Sequence, residues 1–248
     1  MATFDTSQAV RALLEARRSG VQMAPPFAVP DRAAVYAIQD GVARATGPVD
    51  GWKVGAGTPT ADPNPAPLLA GAVVRSPAGF DGQSMHMIGV ETEIAFHIAR
   101  DIAARREPVG RAEALAAVGD ACVAMEACDT RLANFRNVGP DWILADNQGN
   151  HGLVVGDGIA QWRTLDWPTL QVRQIIDGKT VVDQTGGLRA VDPTRLLAWM
   201  IDHAVRLRGG VRKGQVITTG SWTGLTFYPP GTRARGEFAG LGSVEASF

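Results

Sequence analysis

The stretch Gly89–Phe96, GVETEIAF, decides how the rest of the chain is read. Its alternation marks a strand over Gly89–Ile98, which puts Glu91 and Glu93 on one face. Two like charges side by side in an apolar strand are unfavourable unless water or a cation compensates them. A hard divalent ion, Mg2+ or Mn2+, is the natural partner. Glu126, in CVAMEACDTR (122–131), adds a third carboxylate inside an apolar run. Three carboxylates on one ion leave positions open for water and substrate. Pattern alone supports an alternative equally well: a wet sheet face for Glu91 and Glu93, and a Glu126–Arg131 pair.

Outward from this strand, the N-terminal side is helical. Val10, Leu13 and Leu14 form the apolar stripe of a helix over Ser7–Ser19, with Thr6 or Ser7 as cap and Gly20 as stop. Asp31–Ala45 repeats the pattern behind an Asp31 cap. A different texture begins at Gly51. Gly55–Pro67 reads as a loop, Val73-Val74 as a short strand, Arg111–Val118 as a helix and Ala121–Ala127 as a strand, though its Ala and Met also suit a helix. Further strands are expected at Leu153–Val155, Leu170–Ile176, Lys179–Val182, Val216–Thr219 and Ser243–Phe248. Asp177-Gly178 makes a two-residue hairpin turn, and Pro193–Arg208 forms the clearest late helix. Helices lead and strands follow, so the class is α+β, with a helical region over 1–50 and a strand-rich region over 51–248 forming one unit.

The 248 residues carry a net charge of -1, which gives no reason to expect a nucleic-acid partner. Arg17-Arg18, Arg105-Arg106 and the Arg206–Lys213 stretch read as solvated surface. Cys122 and Cys128 lack a zinc spacing and read as buried thiols. No apolar run suits a signal peptide or a membrane span, which points to the cytoplasm.

Lys53, in GWKVGAG (51–57), lies in a strand-like apolar setting where desolvation can lower its basicity and suit it to proton transfer. An exposed edge lysine is the plainer reading. Thr218–Gly224 clusters hydroxyls and backbone amides that could hold a carboxylate, or form an ordinary turn. No nucleotide-binding glycine motif, histidine ligand pair or serine-hydrolase elbow is present.

In this order, GWKVG (51–55), ETEIAF (91–96), MEACDTR (125–131), LADN (144–147), ITTGSWTG (217–224) and GLGSVEASF (240–248) resemble the fumarylacetoacetate hydrolase superfamily. The branch is that of 2-oxopent-4-enoate hydratases and 4-oxalocrotonate decarboxylases. The resemblance implies a mixed β-roll core and Mg2+ or Mn2+ on Glu91, Glu93 and Glu126. It implies Lys53 as the catalytic lysine and Ser221, Thr223 and Asn147 beside the substrate, with Asp129 and Arg131 as polar supports. It further implies a hydratase of aromatic catabolism acting on a small 2-oxo acid, with Lys53 moving a proton and water adding at C4. Relatives form oligomers, and a pathway enzyme is a possible partner. Decarboxylation of a 2-oxo-enedioate, acylpyruvate C–C hydrolysis and a catalytically weak partner subunit are the rivals; the hydrolases' His-Glu lid has no counterpart before His86. PLLAGAVVRS (67–76) carries Arg75-Ser76 where relatives often have an acidic residue, so Arg75 becomes a candidate for recognising a second carboxylate.

Overall fold

The computed structural model describes residues 4–248. Helices α1 (Ser7–Ser19) and α2 (Arg32–Thr46) open the chain. Gly20 ends α1 in the left-handed conformation, and the Asp31 carboxylate caps α2 by accepting from Ala34 N–H. The expected Thr6 or Ser7 side-chain cap is replaced by Asp5, which accepts from Ser7 N–H.

The strands that follow are β1 (Gly51–Gly55), β2 (Asn64–Leu68), β3 (Val73–Arg75), β4 (Ala78–Gly79), β5 (Ile88–Ile98), β6 (Ile102–Ala103), β7 (Val118–Cys128) and β8 (Asn150–Ile159). Short helices α3 (Arg111–Ala116) and α4 (Pro140–Ala145) lie between them. The chain continues with β9 (Gln171–Ile176), β10 (Lys179–Thr185), α5 (Pro193–Leu207), β11 (Gly210–Val211), β12 (Val216–Ser221), β13 (Thr226–Tyr228), β14 (Arg233–Phe238) and β15 (Gly242–Ser247).

The main sheet runs β2-β1-β12-β5-β7-β8-β3, with β13 also on β5, and curls into a half-barrel. A second sheet, β10-β9-β14-β15-β4, covers it. The expected α+β roll is therefore the architecture. The sheets meet tightly where Thr92 faces Gly236: any side chain at Gly236 would strike the Thr92 side chain. Strand β5 thus has two opposite faces. Val90, Ile94 and Phe96 join the large core, while Glu91 and Glu93 point the other way, into the half-barrel.

Several boundaries differ from the sequence reading. The presumed loop ends at Asn64, because β2 pairs antiparallel with β1 despite Pro65 and Pro67. β2 is an edge strand, so prolines lacking N–H groups can be accommodated there. Ala121–Ala127 is a strand, inside β7. Asp177 and Gly178 both have positive φ, 48° and 78°, as the expected hairpin requires.

The helical region docks through buried polar contacts. Gln39 of α2 donates to the carbonyls of Pro65 (3.1 Å) and Leu144 (2.7 Å). Arg208, expected on the surface, is buried: it pairs with Asp40, bonds Gln39 Oε1 at 3.0 Å, and lies over the Tyr36 and Trp52 rings. Arg17 is likewise drawn in, to Asp146 at 3.2 Å. Both carry long apolar stems that cover core while the guanidinium finds a carboxylate, which charge counting along the sequence cannot reveal.

Candidate active site

Register brings the three glutamates together. On β5 and β7, Glu91 stands directly opposite Glu126, and Glu93 lies two residues along the same face. β1 enters from the other side of β12, with Lys53 opposite Thr218. Gly51 permits this parallel pairing, since a side chain there would run into the Val216 backbone. Lys53, Glu91, Glu93 and Glu126 line one cavity of about 390 Å³. Glu126 is 0% and Glu93 2% exposed. The wet-face alternative is thereby excluded.

Three carboxylates face a single ammonium. Lys53 Nζ bonds Glu126 Oε1, which also accepts from Asn150 Nδ2 at 2.8 Å. The pairing of Glu126 with Arg131 does not form. Glu126 Oε2 is buried with no hydrogen-bond partner. Glu93 accepts from the Thr218 hydroxyl, and Glu91 lies 3.7 Å from Cys128 Sγ. Burial, then the neighbouring Glu126 and Glu91 charges, push the Glu93 carboxyl well above its usual range. Burial and Glu126 also raise Glu91, against the opposing pull of Lys53.

For Lys53 the expectation of lowered basicity is reversed. Burial does disfavour its charge, but Glu126, then Cys128, Glu91 and Glu93, outweigh that and raise its pKa. Without a metal on the glutamates, these neighbours hold the lysine as an ammonium.

The donor set fits a divalent cation. An unpartnered buried carboxylate oxygen and an uncompensated excess of negative charge are what such an ion would satisfy. Ligand atoms of Glu91, Glu126 and Cys128 lie within 4.8 Å of one another. Glu93, engaged by Thr218, stands outside that grouping although it lines the same cavity. A thiol is a soft donor, so for a hard ion the glutamates are the stronger ligands.

The remaining expected residues separate. A register shift between Thr218 and Ser221, with Gly220 at φ 91°, brings Ser221 opposite Glu93 and into the cavity. Its hydroxyl is buried without a hydrogen-bond partner of good geometry, near enough to Glu91 to counter part of that group's rise. Thr223 lies outside the cavity lining; its hydroxyl accepts from Thr92 N–H at 3.0 Å. Asn147 is buried behind the wall, while its neighbour Gln148 lines the cavity and offers its carbonyl to Lys53 at 3.5 Å. Asn147, Gln148 and Gly149 all have positive φ, 54°, 52° and 71°. Consecutive left-handed residues are costly, and such strain concentrates at functional sites. Asp129 accepts from His86 and Met87 N–H, and Arg131 binds Asp146 through Nε at 2.7 Å. Arg75 pairs with Asp157 at an exposed site away from the cavity, so it does not face the substrate space.

Sequence reasoning missed Gln148, Asn64 and Arg189 on the cavity wall. Gln148 had a signal beside it, the LADN run. Asn64 and Arg189 had none: Asn64 opens β2 inside a stretch that reads as loop, and Arg189 belongs to a connection whose path only the fold defines.

A curled mixed sheet with a buried acidic centre beside a lysine defines a class of metal-assisted enzymes, and similarity narrows it. Residues 55–248 match the model of the fumarylacetoacetate (FAA) hydrolase C-terminal domain, and the chain belongs to that family. It is 30% identical over 193 residues to a 2-keto-4-pentenoate hydratase of Burkholderia vietnamiensis, covering 72% of this chain and 69% of that protein. It is 31% identical over 160 residues to a Pseudomonas 4-oxalocrotonate decarboxylase, covering 64% and 59%. Among solved structures, 4-oxalocrotonate decarboxylase from Pseudomonas putida, complexed with magnesium and adipate, shares the fold over 100% of both chains with a TM-score of 0.81 at 19% identity. Fumarylpyruvate hydrolase from Pseudomonas aeruginosa, in complex with Mn2+ and pyruvate, covers 79% of this chain and 87% of its own at a TM-score of 0.58 and 16% identity. No helix among the described residues is long and apolar enough to cross a membrane.

Proposed function

We propose that this protein is a divalent-metal-dependent lyase acting on a small 2-oxo acid, with hydration of 2-oxopent-4-enoate, taken as its 2-hydroxydienoate form, as the leading reaction. The observation that carries this reading is the buried excess of carboxylate around Lys53, with Glu126 Oε2 unpartnered. Glu91, Glu93 and Glu126 would hold Mg2+ or Mn2+, which when bound supplies positive charge against the 2-oxygen and carboxylate of the substrate. Lys53, hydrogen-bonded to Glu126 and lining the cavity, begins in this reading as the acid. It gives a proton to the far carbon of the dienol as the 2-hydroxyl proton is lost, leaving a 2-oxo-3-enoate. Water then adds at C4 and a proton at C3, giving a 4-hydroxy-2-oxo acid. Glu126 and the Gln148 carbonyl hold Lys53 in place, and Ser221 and Gln148 line the space beside the reacting carbons. Asn147 and Thr223 act on this reading from behind the wall, and Asp129 and Arg131 as supports.

Decarboxylation of a 2-oxo-enedioate is the second reading, favoured by one observation: a cation, Arg189, on the wall of the same cavity. The proposal extends to a homo-oligomer working in the cytoplasm on products of aromatic ring cleavage, with association to a pathway enzyme. The test is Mg2+- or Mn2+-dependent loss of dienol absorbance, followed by product analysis for CO2 against the hydrated acid. Lys53→Ala should reduce turnover about a thousandfold while metal binding persists; near-normal turnover in that variant would sink the role given to Lys53.

A further inference from the structure

The cavity wall carries two cations, and they differ. Lys53 is committed to Glu126. Arg189 lines the same space, is exposed, and makes no ion pair or side-chain hydrogen bond among the described residues. It stands on the connection between β10 and α5, flanked by buried Leu188 and Ala190.

That connection is built rather than loose. Gly186 and Gly187 both have positive φ, 70° and 123°, and a side chain at Gly187 would run into the Trp222 carbonyl. Val191 has φ 65°, which a β-branched residue adopts only when its surroundings dictate it. Trp222 N–H bonds the Thr92 carbonyl at 2.9 Å, and the Gln184 side chain donates to the Trp222 carbonyl at 2.8 Å. The segment bearing Arg189 is thus braced against the loop that carries Ser221, and through it against β5.

We propose that Arg189 is a specificity-determining residue that binds a second carboxylate, at the end of the substrate away from the 2-oxo group. The inference rests on the 2-oxo acid reading above and refines its substrate: a 2-oxo dicarboxylate, as in the second reading, in preference to a monocarboxylate such as 2-oxopent-4-enoate. The acidic cluster repels any carboxylate not held by a cation, so a second anionic group needs a positive partner elsewhere on the wall. Among the described residues, Arg189 is the one cation lining the cavity without an acidic partner, and its planar fork suits a carboxylate. Arg75, the candidate the sequence offered, is occupied by Asp157 off the cavity.

The experiment is titration calorimetry in saturating Mg2+ with 2-oxoadipate and 2-oxopentanoate, on the unaltered protein, Arg189→Met and Arg189→Lys. The unaltered protein should bind 2-oxoadipate more tightly. Arg189→Met should weaken 2-oxoadipate about tenfold, as expected for one charge-assisted contact that is partly exposed, and leave 2-oxopentanoate unchanged. Arg189→Lys should recover part of the loss. Unchanged 2-oxopentanoate binding also reports that the variant is folded. Equal loss for both acids, or no loss for either, overturns the role of Arg189 while leaving the 2-oxo acid reading intact. Failure of both acids to bind the unaltered protein overturns that reading and this inference with it.

Discussion

Two clusters of buried charge, one on the main sheet around Lys53 and one at the end of α4 around Asp146, separate chemistry from architecture by their contrast. Around Asp146 the carboxylate is saturated: it accepts from Arg131 Nε and N–H and from Arg17, and its carbonyl from Arg131 Nη2. Arg131 has formed its ion pair, and Arg17 keeps one unpartnered nitrogen, Nε. Around Lys53 charge is unmatched, with three carboxylates on one ammonium and a bare oxygen on Glu126. Both clusters are largely buried, so burial alone does not distinguish them. What distinguishes them is the sign of the residue left over. Saturated hydrogen bonding fixes the chain, whereas the glutamates around Lys53 keep acceptor capacity that would suit a cation.

The sharpest way to break this contrast is to remove one acid from each cluster. Asp146→Ala leaves Arg131 and Arg17 buried without their carboxylate and should cost about 3–5 kcal/mol of stability. Urea unfolding checks this, and a loss below 1 kcal/mol would mean the cluster is not a structural clasp. Glu126→Gln should instead abolish the metal-dependent rise in melting temperature, and turnover with it. At 100 times Kd that rise corresponds to about 2.7 kcal/mol in the unaltered protein. If Glu126→Gln kept its metal response, Glu126 would not be a ligand.

A smaller effect follows from the raised Glu91 and Glu93 carboxyls. A carboxyl whose folded pKa lies above its unfolded value binds its proton more tightly in the folded chain. Its stabilising contribution is complete below the unfolded pKa and is lost as pH rises through the folded one. The metal-free protein should therefore lose stability from this pair above the normal carboxylate range. Glu93→Gln should flatten that loss and leave the metal-free protein as stable or about 1 kcal/mol more so. Added Mg2+ should stabilise more as pH rises, because protons compete with it. Melting curves across pH, with Mg2+ and with chelator, decide the matter; a metal-free profile unchanged by Glu93→Gln would contradict it.

Much of the acidic cluster could be read from the chain because period-two alternation fixes which residues share a face, and Val90, Ile94 and Phe96 against Glu91 and Glu93 obey it. The partner of Glu126 could not be read. Arg131 is five residues away and Lys53 seventy-three, yet the half-barrel brings Lys53 to the carboxylate and turns Arg131 to Asp146. Strand β14, the middle of the second sheet, escaped notice for a different reason. Its inward side is Ala234, Gly236 and Phe238, and its other side carries an Arg235–Glu245 pair, so small and charged residues mask a true alternation. The basicity of Lys53 was misjudged because desolvation can be read from neighbours in sequence, whereas the opposing field comes from strands far along the chain.

The smallest effect tests the finest distinction, between two hydroxyls that the sequence pairs as substrate contacts. Ser221 and Thr223 are two residues apart in GSWTG, which in an uninterrupted strand would place them on one face. The shift of register at Gly220 and the exit from β12 prevent that, leaving Ser221 in the cavity and Thr223 bound to the β5 backbone. Ser221→Ala should raise KM about threefold, with stability unchanged, because it removes a polar lining group whose hydroxyl has no firm protein partner. Thr223→Val leaves Thr92 N–H unsatisfied and should cost about 1 kcal/mol of stability, with KM nearly unchanged. Steady-state kinetics beside urea unfolding separates them. The reverse pattern, a KM effect at Thr223 and a stability effect at Ser221, would show that the loop turns the other hydroxyl to the substrate.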